Sequence, residues 1–232
     1  MTFSVRTPTV TALFFATVLS LSVSAQTSAP NTTEWENEAL KLRLFYPSDL
    51  VKGDATQVMS DGHLTFFGIS GASDPKFAEA THCLRPVLLL ELPPSGTTPQ
   101  STTVTASILL AELDINCLTP EQQNKATNLL TDMAEIVNKV PGMKSIAQPA
   151  TYTIGWQKVH MAAAQGQPQT TNSAPSQLYT MGLSTNWNSH LLVWYFSSNS
   201  IDTLNRITKT TVRFGRDQAA PLYPLTIGNA TP

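Results

Sequence analysis

Leu191-Leu-Val-Trp-Tyr-Phe196 is six apolar residues in a row, three of them aromatic, and it is followed by Ser200-Ile-Asp-Thr-Leu-Asn-Arg-Ile207. The first run is too short for a buried helix and apolar on both faces of an extended chain, so it reads as a strand at the centre of a sheet. In the second, Ser200 is an N-cap and Ile201, Leu204 and Ile207 fall on one side of a helix that runs into Thr210-Thr-Val-Arg-Phe214. Upstream, Asn186-Trp-Asn-Ser189 reads as a hairpin connection to a strand over Gln177–Thr185. Further strands are expected around Ala150–Ile154 and Gln157–Ala164, with a polar loop from Gly166 to Ser176.

The best helix signal lies in the middle of the chain. Thr119 is a cap, Pro120 stands at the first helical position, and Gln122 completes a Thr-x-x-Gln box. Ala126, Leu129, Leu130, Met133, Val137 and Val140 recur every three or four residues until Pro141-Gly142 stops the helix. Before it, Leu40–Tyr46 alternates, Ala55–Met59 and His63–Ile69 are short strand candidates, and Leu84–Leu92 suits a central strand whose Pro86 must sit at an edge or a strand start. Thr103–Ile115 reads as a long strand. Helices set among strand meanders, without βαβ alternation, predict a single α+β domain over residues 38–214. Its antiparallel sheet would be covered by two main helices, Thr119–Val140 and Ser200–Thr211. Residues 26–37 read as a flexible N-terminal segment, and residues 215–232, with three prolines and no pattern, as a tail on the surface or disordered.

The first 25 residues have the order of a secretory signal peptide. Arg6 precedes an apolar run from Val10 to Val23, and Val23-Ser-Ala25 places small or aliphatic residues before a cut ahead of Gln26. That run is shorter than the ~20 residues of a spanning helix. A periplasmic or secreted protein is expected, not membrane-spanning after cleavage. Arg6 is the only charge removed, so the net charge of −2 for the whole chain becomes −3. A weak acidic balance excludes nucleic acid as a partner class, because that is held by clustered Lys and Arg. Export also makes pairing the default for the two cysteines, Cys83 and Cys117. His82 is badly placed to activate Cys83 if both lie on a strand, where neighbours point to opposite faces.

Catalytic motifs are missing from the sequence. There is no Gly-x-Ser-x-Gly, no phosphate loop, no His-Glu-x-x-His and no Gly-x-Gly-x-x-Gly, and the four histidines never stand three or four apart. No catalytic residue, metal site or cofactor is expected. Glu112 and Asp114 would share a strand face but need a facing histidine and a cleft to act as an enzyme's acid and base. Aromatic residues of the second half, Trp156, Trp187 and Tyr179, are candidate ligand-binding residues.

The order of elements has a resemblance. Phe45-Tyr-Pro47 at a strand end, a long strand into the helix capped by Thr119, a meander ending in Leu191–Phe196, and Ser200–Ile207 ahead of Val212-Arg-Phe214 are similar to the PsbP-like superfamily. The resemblance implies a central antiparallel sheet with helices on both faces, an α/β/α sandwich, and membership of a group whose proteins mostly bind other proteins or act as accessory factors without catalysis. The polar loop at Gly166–Ser176 and the cysteine pair are departures from it. The functional expectation is an exported, non-enzymatic accessory or protein-interaction domain. The alternative is a periplasmic binder of a small molecule or carbohydrate.

Overall fold

The computed structural model describes residues 31–60, 63–64, 82–94, 104–167 and 177–228. The signal-peptide reading, most of the His63–Ile69 strand and most of the Gly166–Ser176 loop lie outside them. The strands are β1 Thr32–Asn37, β2 Leu42–Pro47, β3 Val51–Lys52, β4 Met59–Ser60, β5 His63–Leu64, β6 Leu84–Leu92, β7 Ala106–Leu113, β8 Met143–Ile154, β9 Gln157–Gly166, β10 Leu178–Trp187, β11 His190–Ser198, β12 Thr211–Phe214 and β13 Ala220–Pro221. The helices are α1 Pro120–Asn124, α2 Ala126–Glu135 and α3 Ile201–Ile207. Three antiparallel sheets result: seven strands in the order β3-β6-β7-β11-β10-β9-β8, four in the order β1-β2-β12-β13, and the pair β4-β5.

The apolar run of β11 takes its expected place inside the large sheet, between β7 and β10. Its odd members Leu191, Val193 and Tyr195 pack with Leu130, Met133, Ile136 and Val137 of the α2 region. Its even members Leu192, Trp194 and Phe196 pack with Leu42, Leu44, Val212 and Phe214 of the small sheet and with Leu204 and Ile207 of α3. Alternation in a strand puts each set on its own face, so one strand joins two cores. The mostly-sheet α+β class therefore holds, with a difference. On the second face the cover is the four-stranded sheet together with the short α3, because β2 and β12 bring their own apolar stripe.

Local chemistry explains where the other expectations held and failed. The Thr119 box forms: its hydroxyl accepts from Gln122 N, and Gln122 Oε1 accepts from Thr119 N at 2.9 Å. The helix then breaks at Lys125 (φ −107°, ψ 19°), resumes as α2, and tightens into a 3-10 turn over Ile136–Asn138. Ala55–Val58 is a 3-10 turn and no strand, since the Asp54 carboxylate accepts from both the backbone N and the hydroxyl of Thr56 and closes a local turn. The last helix ends at Ile207, and Thr211 already belongs to β12. Pro86 lies where β3 does not reach, since β3 pairs only with Leu90 and Glu91, and the register shifts between Pro86 and Leu88. In the β10–β11 hairpin, Asn188 and Ser189 adopt φ of 50° and 67°, the twisted two-residue turn that joins strands tightly.

Both chain ends correct the sequence reading. Residues 32–37 of the supposed flexible segment form β1, paired along its length with β2. The tail is docked. Leu222, Tyr223 and Ile227 are buried, and the Asn205 side chain donates to Ile227 O at 2.9 Å and accepts from Ile227 N at 2.8 Å, as a strand neighbour would. Tyr152 donates its hydroxyl to Leu222 O.

Candidate functional site

Two surfaces meet along the segment that follows β12. The first is the tip of the β8–β9 hairpin. Gly155 turns the chain with φ 57°, and the next residue, Trp156, is 89% exposed. A turn residue has no sheet face to be folded under, so its side chain stands in water. The ring borders an open cavity of about 610 Å³ lined by Gly155, Asp217, Gln218, Ala219, Ala220 and Pro221.

Of the other aromatic candidates, Trp187 lies at the same end of the sheet. Strand β10 pairs Thr185 with Val159, which brings Trp187 level with the start of β9. Its role is structural: Nε1 donates to Leu40 O at 2.7 Å and its ring stands 5.2 Å from that of Phe214. Gly215 is tied to this ring, because a Cβ on it would lie 3.2 Å from Trp187 Cζ2. Tyr179 is at the far end of β10, eight residues and roughly 27 Å of strand away. The structure thus brings Trp156 and Trp187 to one end of the sheet and leaves Tyr179 apart.

The second surface is the outer face of the small sheet. Register places Glu36, Arg43 and Arg213 in one row across β1, β2 and β12. Arg43 Nε donates to Glu36 Oε1 at 2.7 Å and its Nη1 to Glu34 Oε1 at 3.1 Å. Arg213, opposite it, has its Nε enclosed and without an acceptor. A cavity of about 530 Å³ opens here between Glu36, Glu38, Lys41, Arg43, Arg213, Gly215 and Arg216. Nothing in the sequence signalled this group, whose members are local neighbours only after the sheet forms.

The remaining polar clusters are engaged in structure. Glu112 Oε1 meets His190 Nδ1 at 2.6 Å, while Asp114 is bound by Arg85. The two carboxylates therefore have different partners. His160 lies in a cavity of about 190 Å³ beside Thr131, Glu135 and Thr151, its Nδ1 3.1 Å from Thr151 Oγ1. Burial, then the charge of Lys158, push its pKa below the usual 6.5, against a smaller opposing pull from Glu135.

Cys83 and Cys117 form the expected disulfide. The orientation of His82 is corrected: it and Cys83 lie in a turn ahead of β6, not on a strand, and His82 Nε2 comes within 3.6 Å of Cys83 Sγ. Among the described residues no helix is long and apolar enough to cross a membrane.

No family model matches the chain, and no curated protein matches it. Several solved structures are similar. Cyanobacterial PsbP (CyanoP) from Synechocystis sp. PCC 6803 is 9% identical at a TM-score of 0.43, over 84% of this chain and 98% of that one. The Ran-binding protein Mog1p of Saccharomyces cerevisiae is 9% identical at 0.37, over 75% and 80%. A protein of unknown function from Pseudomonas aeruginosa, PA94, is 15% identical at 0.31, over 72% and 83%.

Proposed function

We propose that this chain is an exported, non-enzymatic interaction domain that grips a partner protein through the hairpin tip carrying Trp156. The observation behind this reading is the 89% exposure of that one indole in a chain whose other three tryptophans are not among its exposed large hydrophobics. Tryptophan is the residue most enriched where a few side chains carry most of an interface's energy, typically ~2–4 kcal/mol each on truncation. The covering of the large sheet by α2 on one face and α3 on the other, in the manner of an α/β/α sandwich, belongs to the same proposal. Export rests on the leader-like first 25 residues and accords with the Cys83–Cys117 bridge.

The cavity of about 610 Å³ beside the indole favours a second reading, a sugar or other small ligand stacked on Trp156.

Affinity purification from the native source, with wild type and Trp156→Ala side by side, tests the first reading. A partner recovered in near-equal amount with wild type should be lost with the variant, a weakening of about 30-fold or more. Equal recovery by both sinks it. No partner, together with a ligand that raises the melting temperature of wild type alone, selects the second reading. The mass of the mature N-terminus decides export: a start at Gln26 agrees with it, and a start at Met1 does not.

A further inference from the structure

We propose that Arg213 is the centre of an oxyanion-binding site on the outer face of the small sheet, taking a carboxylate or phosphate group. The inference is independent of the Trp156 reading.

Arg43 and Arg213 are direct cross-strand partners, and like charges in that position repel. Arg43 is neutralised by Glu34 and Glu36 and thereby held in one place. Among the described residues Arg213 has no such partner. Its Nε–H is shut off from water and has no acceptor among the described residues, which leaves a desolvation cost uncompensated. An anion with two oxygens in one plane, entering the cavity that Arg213 lines, would supply the countercharge this guanidinium lacks.

The surroundings are built for the same charge. Lys41, Arg213 and Arg216 line the cavity beside Arg43, which is paired with Glu34 and Glu36, and Glu38 is the further carboxylate there. Gly215 N donates to Lys41 O at 2.8 Å, which fixes the two turns carrying Lys41 and Arg216 beside each other. Gly215 itself has φ 56°, and any larger residue would press on Trp187, so the turn that aims Arg216 depends on this glycine.

The test is titration of the full chain with its disulfide intact, followed by the Nε–Hε signals of its arginines in ¹⁵N–¹H spectra. The probes are inorganic phosphate, glutarate and a tetraglutamate peptide, each against sodium chloride at equal ionic strength. Saturable movement of the Arg213 signal by the oxyanions but not by chloride is expected. Arg213→Lys, which keeps the charge and loses the planar fork, should weaken binding at least tenfold. Trp156→Ala should leave it unchanged, so failure of the interface reading and failure of this one are told apart. Tighter binding of the peptide than of glutarate places the carboxylate on a protein; equal or weaker binding places it on a free small anion, and both support the site. Movement that chloride reproduces, that never saturates, or that leaves the Arg213 signal in place overturns it. Unchanged affinity in Arg213→Lys overturns it as well.

Discussion

Gly182→Ala should damage this chain severely for a single added methyl group. Gly182 lies in the middle of β10, where α2 crosses the sheet. A Cβ there would stand 2.2 Å from Ala134 O, 3.0 Å from Ala134 C and 3.2 Å from Ala134 Cα. The obstacle is helix backbone and cannot rotate away, so α2 must retreat by about 1 Å to reach ordinary contact distance. Two buried hydrogen bonds run from this sheet to the same helix: Ser184 Oγ donates to Leu130 O, and Tyr195 Oη donates to Met133 O at 3.0 Å. A retreat of that size weakens both, at roughly 1 kcal/mol or more each. It also opens a gap along Leu130, Met133 and Val137, and ~0.5–1 Å of gap forfeits a quarter to a half of each contact's attraction. Alanine's better backbone entropy returns only about 0.5–1 kcal/mol.

The expected loss is about 3 kcal/mol. With a urea slope of ~2 kcal/mol/M, the unfolding midpoint should fall by about 1.5 M. Gly228→Ala is the internal control, since a Cβ there meets nothing within 4 Å, and its midpoint should not move. A loss below about 1 kcal/mol for Gly182→Ala, at unchanged slope, would show that α2 is not held at this distance.

Reducing the Cys83–Cys117 bridge, which spans a sequence separation of 34, should cost about 3–4 kcal/mol by freeing the unfolded chain from the closed loop; urea midpoints with and without reductant measure it, and a change under 1 kcal/mol would contradict this. His160 gives a pH effect whose sign is fixed. Its folded pKa lies below the unfolded value of 6.5, so the folded chain binds fewer protons and stability drops as the pH falls through 6.5 toward the folded value. The melting temperature of wild type should therefore fall more steeply between pH 7.5 and pH 5 than that of His160→Gln, and parallel curves would refute the burial argument.

What was legible in the sequence was local or periodic. The Thr119 box closes within four residues, and the apolar run at Leu191–Phe196 needs no partner to declare its burial. What escaped was held by distant partners. β1 has little apolar pattern of its own and is ordered by β2. The tail docks because the amide of Asn205, 22 residues earlier, imitates a backbone. Arg43 and Arg213 are 170 positions apart and become neighbours only through the pairing of β2 with β12. Trp156 was a candidate ligand-binding residue together with Trp187 and Tyr179, without any sign that it alone stands out in solvent. The Gly155-Trp156 pair between two alternating segments was the signal that it turns outward.

The long strand β8 has a consequence for the company this molecule keeps. It forms one border of the seven-stranded sheet, and a border twelve residues long is a template on which a second sheet can crystallise. Two dislocations, between Ser145 and Ala147 and between Ala147 and Ala150, break that template. Pro149 deletes a donor between them, and Lys144 adds a charge that any stacked copy would have to bury beside its own. No stretch of that border offers an incoming strand more than a few rungs in step. The flaw in the ladder keeps crowded copies of this protein from growing into one another.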